Sequence, residues 1–580
     1  MAARAALFRE ADDPDGEAGA LTNRSNALAK AGRHEEAVTV CEQAVALYRT
    51  AGNGPRERTM QKVLGTYLFD AGRPTEAVTA LERAVALCQE AGDRHSEGQS
   101  LFSLGFTLVR MKRYAHAVAL CEQAAVVCRE TGEQESEGMA LECLGTALAE
   151  LDRNEEAITA RRRAVEAFRA TANLGMEAST TGELGSDLGR VGRYAEAVVA
   201  SRRAAELYRR LGDGRREAKA LSNLGLGLLS DGQYEESITV CSRSVALSRE
   251  HGDVYGEADA LENLSNALSP VGRITESIAA ARRSIDCFRE SSDERREAVV
   301  LYALGEVLHG AKRDEETVPL YERCAGIMLK LGITDVAGSA FLNLARAHEA
   351  LDRPNETIAA LRRAAAVYAD VRDQGSEAKA CYHLGRVLVA AERYEEAAVA
   401  YLRSATGFGE IGDRRGQGTA QLDLSKALLK AGRLGLAVSY GLQAAFLHGL
   451  ILGRDSEGQV LYHLAHEFMN AGQQQPSHPL LQQYLKESLP LVRRYLTVCE
   501  ETGDLRGEAA AVLLLGGLLV DVQQYAEALT VNRQAVKFYK SGKATALAAK
   551  VNEDATAIGL QIAQSQLAKA ERGLKQGRHW

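Results

Sequence analysis

Small and apolar residues recur along this chain with a fixed period. Leucine stands at eleven positions separated by steps of 40 residues, from Leu64 to Leu464. The residue after each of these leucines is Gly, Ser or Ala, and another small residue, such as Ala117 after Gly105, follows twelve positions later. Self-similarity at one period is typical of a solenoid, in which each repeat buries its apolar face against its neighbours.

Each period contains two predicted amphipathic helices. Apolar residues of the first helix lie at helical spacing on one face, as do the small residues of the second helix. Gly105 lies within the apolar face of the first helix, where a side chain would hold the second helix away. For one repeat, the residues of these two faces are Leu101, Leu104, Leu108 and Val109, then Ala117, Cys121, Ala124 and Cys128.

Helix ends are also marked in the sequence. Glycines between the two helices of a repeat predict a residue of left-handed conformation just after the first helix. Aspartates after the second helix predict the N-cap of the first helix of the next repeat. The glycines are Gly32, Gly72, Gly192, Gly232, Gly272 and Gly432. The aspartates are Asp93, Asp213, Asp253, Asp413 and Asp504.

The Leu-Gly pair of the first helix and the spaced alanines of the second, as in Leu104-Gly105 and Ala117 with Ala124, resemble the tetratricopeptide repeat. The long period is similar to that of kinesin light chains, Pins-type adaptors, bacterial peptide-sensing regulators and the sensor regions of bacterial signalling ATPases. The resemblance covers about residues 17–542. It implies an all-α, right-handed superhelical solenoid of about 13 helix-turn-helix repeats, closed by a C-terminal capping helix.

Five segments follow from this register. The opening aligns with the middle of a second helix, so we expect either a piece cut from a longer protein or a half-repeat cap. An 11-residue slip near Pro476 and Pro479 predicts a longer loop or an extended helix start. The segments are 1–16, the helix end or half-repeat cap; 17–469, repeats 1–12 through the first helix of repeat 12; 470–503, the insertion and second helix of repeat 12; 504–542, repeat 13; and 543–580, the capping helix and tail.

Composition narrows the function classes. The chain is 46% hydrophobic and 26% charged, which is typical of a globular protein, and its net charge of −8 disfavours generic nucleic-acid or anionic-membrane binding. No signal peptide and no run of about 18 uninterrupted apolar residues is found. Ten cysteines without a CxxC motif indicate buried, reduced thiols, so we expect a cytoplasmic protein.

Catalytic and cofactor motifs are missing from the sequence, so we predict no enzyme, no cofactor and no resident metal. His463 and His466 are one helical turn apart, but no third metal ligand is evident. A stripe of arginines, one per second helix, could track phosphates, but ion pairing with acids such as Glu166, Glu206 and Asp286 is the better interpretation. The stripe is Arg83, Arg163, Arg203, Arg243, Arg283, Arg323, Arg363 and Arg403.

In tetratricopeptide superhelices the first helices line an inner groove, and the resemblance therefore implies peptide contacts from them. An amide recurs two residues before the small mark, by which we mean the Gly, Ser or Ala that follows each recurring leucine. There it could bind a peptide backbone regardless of sequence. Basic and aromatic residues follow in later repeats. The predicted contacts are Asn223, Asn263, Asn343, Arg346, Lys379, Tyr382, His383, Arg386, Lys426, Lys430, Tyr462, His463 and His466.

Acidic residues precede this basic region along the same predicted surface. They are Glu142, Glu183, Asp259, Glu262 and Glu306. An acidic stretch followed by a basic one predicts a partner segment of complementary charge order. Exposed histidines at the basic end would strengthen binding below about pH 6.5.

The first functional hypothesis is a non-catalytic scaffold that binds a protein or peptide segment in the groove, with no nucleic acid or membrane as partner. One alternative is the sensor arm of a larger bacterial signalling ATPase or peptide-responsive regulator. Another is a ligand- or metal-binding protein that uses the histidine-rich C-terminal part of the groove. The sequence leaves the partner's identity and the oligomeric state open.

Overall fold

The computed structural model describes residue 8 and residues 13–474, 478–541 and 553–577 of the 580-residue chain. Every regular element in these ranges is an α-helix, and consecutive helices pack as pairs. The chain divides into two compact halves, Met1–Asp293 and Glu294–Trp580, each of which is described by itself. The predicted all-α repeat solenoid is confirmed.

The N-terminal half holds the first seven helix pairs. Odd-numbered helices are the first helices of repeats 1–7, and even-numbered helices are the second. They are α1 (Pro14–Lys30), α2 (His34–Thr50), α3 (Gly54–Asp70), α4 (Pro74–Glu90), α5 (Arg94–Arg110), α6 (Tyr114–Glu130), α7 (Gln134–Ala149), α8 (Asn154–Ala170), α9 (Leu174–Arg190), α10 (Tyr194–Leu211), α11 (Gly214–Ser230), α12 (Tyr234–Glu250), α13 (Val254–Leu268) and α14 (Ile274–Glu290).

The C-terminal half continues the alternation through repeats 8–13 and ends with one further helix. Its helices are α15 (Glu294–Gly310), α16 (Asp314–Lys330), α17 (Thr334–Ala350), α18 (Pro354–Asp370), α19 (Gln374–Ala390), α20 (Tyr394–Glu410), α21 (Arg414–Lys430), α22 (Leu434–Leu452), α23 (Arg454–Gln473), α24 (His478–Thr502), α25 (Leu505–Asp521), α26 (Tyr525–Tyr539) and α27 (Glu553–Gly577).

Four of the predicted segments fall partly outside the described residues. Most of 1–16 does so, as do 475–477 in the insertion, 542 at the end of repeat 13, and 543–552 and 578–580 of the last segment. Within the insertion, α24 is a single helix of 25 residues. The final helix α27 packs on α25 and α26, with Ala563 and Ala570 fully buried.

Helix ends follow the predicted capping residues. The six glycines at the breaks have φ between 75° and 78°, in the left-handed region that glycine adopts without a steric penalty. The carboxylates of the five predicted N-cap aspartates accept hydrogen bonds from backbone N–H groups in the next first turn, as from Ser96 to Asp93 at 3.0 Å. Both sets of predicted caps are confirmed.

Close approach of the two helices in a repeat depends on the small residue after leucine. A Cβ atom added to Gly105 would lie 2.6 Å from the Cys121 Sγ atom, and one added to Gly225 would lie 2.2 Å from the Cys241 Sγ atom. In both repeats the obstructing residue lies sixteen positions later, on the facing second helix. A side chain on the first helix would therefore push the second helix away, as the sequence predicted.

Size is complementary across this contact. Where the first helix carries Ser425 instead of glycine, the residue sixteen positions later is Gly441, and a Cβ added there would lie 3.0 Å from the Ser425 Oγ atom. Ser265 likewise faces a smaller partner position, Ala281. In these two repeats a serine on the first helix is thus matched by a small residue on the second, since interiors are packed without spare volume.

The arginine stripe is largely ion-paired, which confirms the preferred interpretation, although its main partners differ from those expected. Arg283 donates to the Glu257 Oε1 atom at 3.1 Å, and Arg249 of the preceding repeat donates to the same oxygen at 2.9 Å. Glu257 lies in the first turn of α13 and is buried. Arg203 and Arg169 converge in the same way on buried Glu177. Each such carboxylate joins two repeats.

The cysteines are buried, and none is in a disulfide. Burial raises the pKa of the Cys41 thiol to about 12, and that of the Cys241 thiol likewise to about 12. These side chains fill apolar positions of the second helices, as predicted.

One helix, α22 (Leu434–Leu452), is long and apolar enough to cross a membrane by length and composition alone, although polar residues interrupt it. It occupies the second-helix position of repeat 11, and Ala437, Gly441 and Ala444 are buried there. We therefore describe it as a helix of the repeat array.

We predict that Gly225→Ala destabilises the N-terminal half, since the added methyl group overlaps the Cys241 Sγ atom. The expected cost is about 1–3 kcal/mol, measured as a lower midpoint in urea unfolding. Cys241→Ala in the same chain should restore much of the loss, because it reproduces the small partner that Ser265 faces. Gly189→Ala, where nothing lies within 4 Å of the added atom, is the matched control. Equal effects at the two glycines would contradict the close-contact argument.

We also predict that Glu257→Gln lowers the free energy of unfolding by about 1.5–3 kcal/mol near pH 7, because two charged hydrogen bonds are weakened. Burial opposes ionisation, but the hydrogen bonds from Arg283 and Arg249 hold the pKa of the Glu257 carboxyl below its ordinary value. Its stabilisation is therefore present above the unfolded pKa of about 4.3 and is lost as pH falls through the folded pKa. Unfolding curves from pH 7 to pH 3 should converge for the two proteins. Glu250→Gln, on an exposed residue, should show no such difference at any pH.

Candidate functional site

The predicted contact residues lie on the first helices of the repeats, and we call their outer side chains the first-helix surface. Neighbouring first helices contact each other directly in both halves, as α11 does with α13 and α21 with α23. The residue two positions before the small mark of one repeat therefore lies near the residue three positions before the mark of the preceding repeat. These two positions are 41 residues apart in sequence.

Hydrogen bonds bridge these two positions in several repeats. The Asn263 Nδ2 atom donates to the Ser222 Oγ atom at 3.0 Å, and the Asn343 Nδ2 atom donates to the Tyr302 Oη atom at 2.8 Å. Asn263 is 7% and Asn343 8% exposed. These amides hold adjacent first helices together, and their predicted contact with a peptide backbone stays a prediction.

Asn223 differs from the other two predicted amides. It is half-buried and lines a cleft of about 360 Å³ in the N-terminal half. Gly185, Ser186 and Gly227 form part of the same cleft, next to the half-exposed side chain of Leu226. Its amide is therefore better placed than those of Asn263 and Asn343 to meet an incoming backbone.

The acidic residues of the N-terminal half do not form one exposed row. Asp259 accepts a hydrogen bond from the Ser222 hydroxyl at 2.6 Å, whereas Glu183 is exposed. Glu262 lies on α13 with Asp259. Glu142 lies 3.5 Å from the buried Arg161 guanidinium, and burial raises the pKa of its carboxyl against the opposing effect of that charge.

Glu306 and Arg346 belong to a compact network in the C-terminal half. The Glu306 Oε1 atom accepts from the Asn343 amide at 2.7 Å and from the Tyr321 hydroxyl at 2.6 Å. The Arg346 Nη1 atom donates to the Asn343 Oδ1 atom at 3.1 Å. The network leaves the Arg346 side chain 55% exposed, so its remaining donors face solvent.

Predicted basic residues of the following repeats gather at clefts on the first-helix surface. Lys379, Tyr382 and His383 line one of about 300 Å³, together with Phe408 and Thr419. Next along the chain, a cleft of about 440 Å³ is lined by several side chains. They include Tyr401, Asp423, Lys426, Lys430 and Glu467.

These cations differ in whether they have an ionic partner. The Lys426 Nζ atom lies 3.8 Å from the Glu467 Oε1 atom. Lys379, Arg386 and Lys430 have no carboxylate oxygen within 4.0 Å among the residues that the structure describes. Unpaired cations beside a partly apolar cleft can receive carboxylates from outside the chain.

Aromatic rings accompany the cations. The Tyr382 ring lies 5.6 Å from the Tyr401 ring between centroids, and the Tyr382 hydroxyl donates to the Asp423 Oδ2 atom at 2.7 Å. Burial and this carboxylate raise the pKa of the Tyr382 hydroxyl to about 12. Tyr382 is therefore a neutral, fixed wall of the cleft at physiological pH.

The histidines near the end of the array pack around Tyr462. Its ring centroid lies 4.4 Å from that of His466 and 5.6 Å from that of His463. Within the described ranges, no group of three or more His, Cys, Asp or Glu side chains is placed to hold a metal ion. The metal-binding alternative thus receives no support from the geometry.

Sequence reasoning missed several residues of these clusters. Tyr302 and Glu467 contact predicted residues but were not singled out, whereas Asp423 was placed at the groove position without a role. Arg161 was missed as well, although it occupies an apolar position of its repeat, equivalent to Cys121. The 41-residue spacing across adjacent first helices would have indicated Tyr302 and Asp423, and an arginine at a core position would have indicated Arg161.

Comparison with known proteins identifies the repeat. The model of the tetratricopeptide repeat family matches residues 16–90, 57–130 and 176–250. No curated protein matches the chain.

Among solved structures, BtubC (BKLC) from P. vanneervenii is 19% identical, with 38% of this chain and 92% of that one covered at a TM-score of 0.34. The apo quorum sensor NprR from B. thuringiensis is 15% identical, with 62% and 99% covered at a TM-score of 0.36. Aspartyl phosphate phosphatase F from Bacillus subtilis is 12% identical, with 57% and 89% covered at a TM-score of 0.37. Similarity at this level carries no conclusion about function.

We predict that His383 titrates below the ordinary histidine pKa of about 6.5. Partial desolvation of the ring by its neighbours is the main cause, although the residue is exposed, and the Arg386 charge lowers the pKa further, against the opposing effect of Glu349. The neutral ring is thus favoured in the folded protein, and protonation at lower pH costs stability. Histidine NMR titration checks the midpoint, and Arg386→Ala should move it upward. A His383 midpoint above 6.5 would contradict this assignment.

Proposed function

Because the chain is a tetratricopeptide repeat protein, we propose that it is a non-catalytic scaffold that binds an acidic protein segment on the first-helix surface of its C-terminal half. The observation that carries the proposal is the group Lys379, Arg386 and Lys430, three cations without a carboxylate partner within 4.0 Å in the described ranges. Lys379 and Lys430 line clefts that include phenylalanine or tyrosine, whereas Arg386 lines a separate cleft that also contains Glu349 and Asp352.

Charge distribution supports this choice of surface. In the arginine stripe of the second helices, Arg323 forms an ion pair with Glu297 and Arg403 with Glu377. Both glutamates lie in the first turn of the first helix of the same repeat, so these arginine charges are neutralised within the repeat. Lys379, Arg386 and Lys430 of the first helices have no such carboxylate within 4.0 Å in the described ranges. An extended segment crossing several first helices could therefore place its carboxylates on Lys379, Arg386 and Lys430 in turn.

The clefts supply the apolar part of the recognition. Phe408 and Tyr382 contribute to the cleft at Lys379, and Tyr401 contributes to the one at Lys430. An apolar side chain of the bound segment would enter a cleft while neighbouring acidic residues meet the cations at its edge. The proposed ligand is thus a segment in which acidic and apolar residues alternate.

We place the protein in the cytoplasm as part of this proposal. Ten buried cysteines without a disulfide suit a reducing compartment. Its proposed partner is a protein or peptide, and neither nucleic acid nor a membrane is needed for the recognition that these side chains offer.

The proposal predicts that Lys379→Glu combined with Arg386→Glu strongly weakens binding of an acidic peptide. The probe is a fluorescein-labelled peptide of about ten residues that alternates glutamate and leucine, measured by fluorescence anisotropy. We expect the double variant to bind at least about 30-fold more weakly, and wild-type binding to weaken as salt rises.

The control is an equal charge reversal elsewhere in the same half. Lys312 and Arg372 are exposed residues in turns, with φ of 58° and 59°, and do not line the clefts. Lys312→Glu with Arg372→Glu should leave binding within about twofold of wild type. Equal losses in both double variants, or equal binding of a lysine–leucine peptide, would refute a specific site on the first-helix surface.

A further inference from the structure

Second helices carry a repeating charge pattern on their solvent side. Their third residue is glutamate in nine of the first ten repeats, the exception being His116. In several repeats an arginine of the preceding second helix reaches this glutamate across the repeat boundary. The Arg202 Nη1 atom, for example, lies 2.7 Å from the Glu236 Oε1 atom, and Arg162 pairs with Glu196 in the same way.

The boundary between repeats 10 and 11 breaks this pattern on both sides. At the positions equivalent to Arg202 and Glu236 stand Leu402 of α20 and Leu436 of α22. Leu402 is 41% and Leu436 55% exposed. An exposed ion pair has thus been replaced by two exposed leucines in the same register, while the preceding boundary keeps the pair Arg362–Glu396.

The apolar surface continues along α22. Phe446 and Leu450 are each 54% exposed, at positions that are Thr406 and Glu410 in the preceding repeat. Residues 434–452 contain no Asp, Glu, Lys or Arg. We call the solvent-side stripe of α22 formed by Leu436, Tyr440, Gln443, Phe446 and Leu450 the α22 stripe; Tyr440 is half-buried and the other four are exposed. Its members follow one another at three or four residues, the spacing that packs against another helix.

The order of residues in the α22 stripe is symmetric about Gln443. Leu436 lies seven residues before it and Leu450 seven after, while Tyr440 and Phe446 lie three before and three after. In an antiparallel pair of identical helices with a two-fold axis at Gln443, each leucine therefore faces a leucine and each aromatic ring faces an aromatic ring. Such self-complementarity is what an isologous interface requires.

We propose that the α22 stripe is a dimerisation surface, on which α22 of a second copy of this chain packs antiparallel. The Gln443 Oε1 atom accepts a hydrogen bond from the Gln421 amide at 3.2 Å, which leaves the Gln443 amide hydrogens for its symmetry mate. A polar pair at the axis would fix the register, as single polar residues do in helix pairs. Leu402 extends the apolar area beside Leu436.

A second copy fits this surface better than a lipid bilayer does. Helices that lie on membranes carry Lys and Arg beside their apolar face, whereas α22 has none and the exposed Arg433 next to it is paired with Glu395. In α20 the equivalent positions carry charges, namely Glu396 and Glu410, which a helix–helix contact would bury. Because α22 carries no charged residue, an uncharged partner helix, such as α22 of a second copy, can pack on it.

The size of the surface sets the expected strength. A helix of 19 residues is about 28 Å long, and a contact strip about 10 Å wide covers roughly 300 Å² on each copy. When Leu402 and Val399 of α20 are included, the area buried on both copies together is about 700–800 Å². This is below the roughly 1,200 Å² at which stable interfaces begin. We therefore expect a reversible dimer with a dissociation constant of about 10–100 µM.

The test is sedimentation equilibrium of the full chain at increasing concentration. Leu436→Lys and Leu450→Glu should each raise the dissociation constant at least about tenfold, because a charge would face a leucine of the other copy. Val199→Glu, on a residue 69% exposed on α10, is the matched control and should change nothing. Circular dichroism verifies that each variant keeps its helicity.

Combining Leu436→Lys with Leu450→Glu in one chain provides the decisive measurement. The two-fold pairing then places Lys opposite Glu at both ends, so self-association should return to within about fivefold of wild type and should weaken with salt. A monomeric wild type at about 500 µM, no effect of the single variants, or no recovery in the double variant would overturn the proposal. So would wild-type binding to phosphatidylcholine–phosphatidylserine vesicles without self-association, since the surface would then serve a membrane.

Discussion

The distance between the two helices of each repeat is the constraint on which the rest of the structure depends. It is set by two facing positions, sixteen residues apart, of which the one on the first helix is Gly, Ser or Ala in repeats 2–11. Gly225 faces Cys241, and where Ser425 replaces the glycine, its partner is Gly441. Each repeat keeps the same thickness, and neighbouring repeats can then present the same surfaces to each other.

This regularity explains why polar links recur between repeats. Buried Glu257 is reached by Arg283 of its own repeat and by Arg249 of the repeat before. On the first helices, Asn343 and Tyr302 are joined in a comparable way across the boundary. Fixed spacing brings the same positions together each time, so one favourable pair can be used again in successive repeats. Desolvation of such carboxylates is offset only because two guanidinium groups converge on them.

The sequence was sufficient to predict the helices, their caps and the close contact, because each depends on residues that are near in sequence. Gly32 and Asp93 act within one turn, and Gly105 meets a residue of the adjoining helix. The candidate site was harder to predict. Whether the Asn263 amide faces a ligand or a neighbouring helix depends on Ser222, which lies one repeat away. The repeat period predicts where Asn263 lies, but it does not predict the hydrogen-bond partner of its amide.

Candidate functional residues are therefore those that differ from the residues at equivalent positions of the other repeats. Arg323 and Arg403 have carboxylate partners within their repeats, whereas Lys379 and Arg386 have none within 4.0 Å in the part of the chain that the structure describes. Glutamate at the third residue of a second helix is the rule, and Leu436 breaks it. The repeats that keep the pattern supply the internal control, since the same fold shows what each position does for stability alone. A contiguous row of exposed apolar side chains, or several cations without a carboxylate partner beside a cleft, is what a group outside the chain can bind.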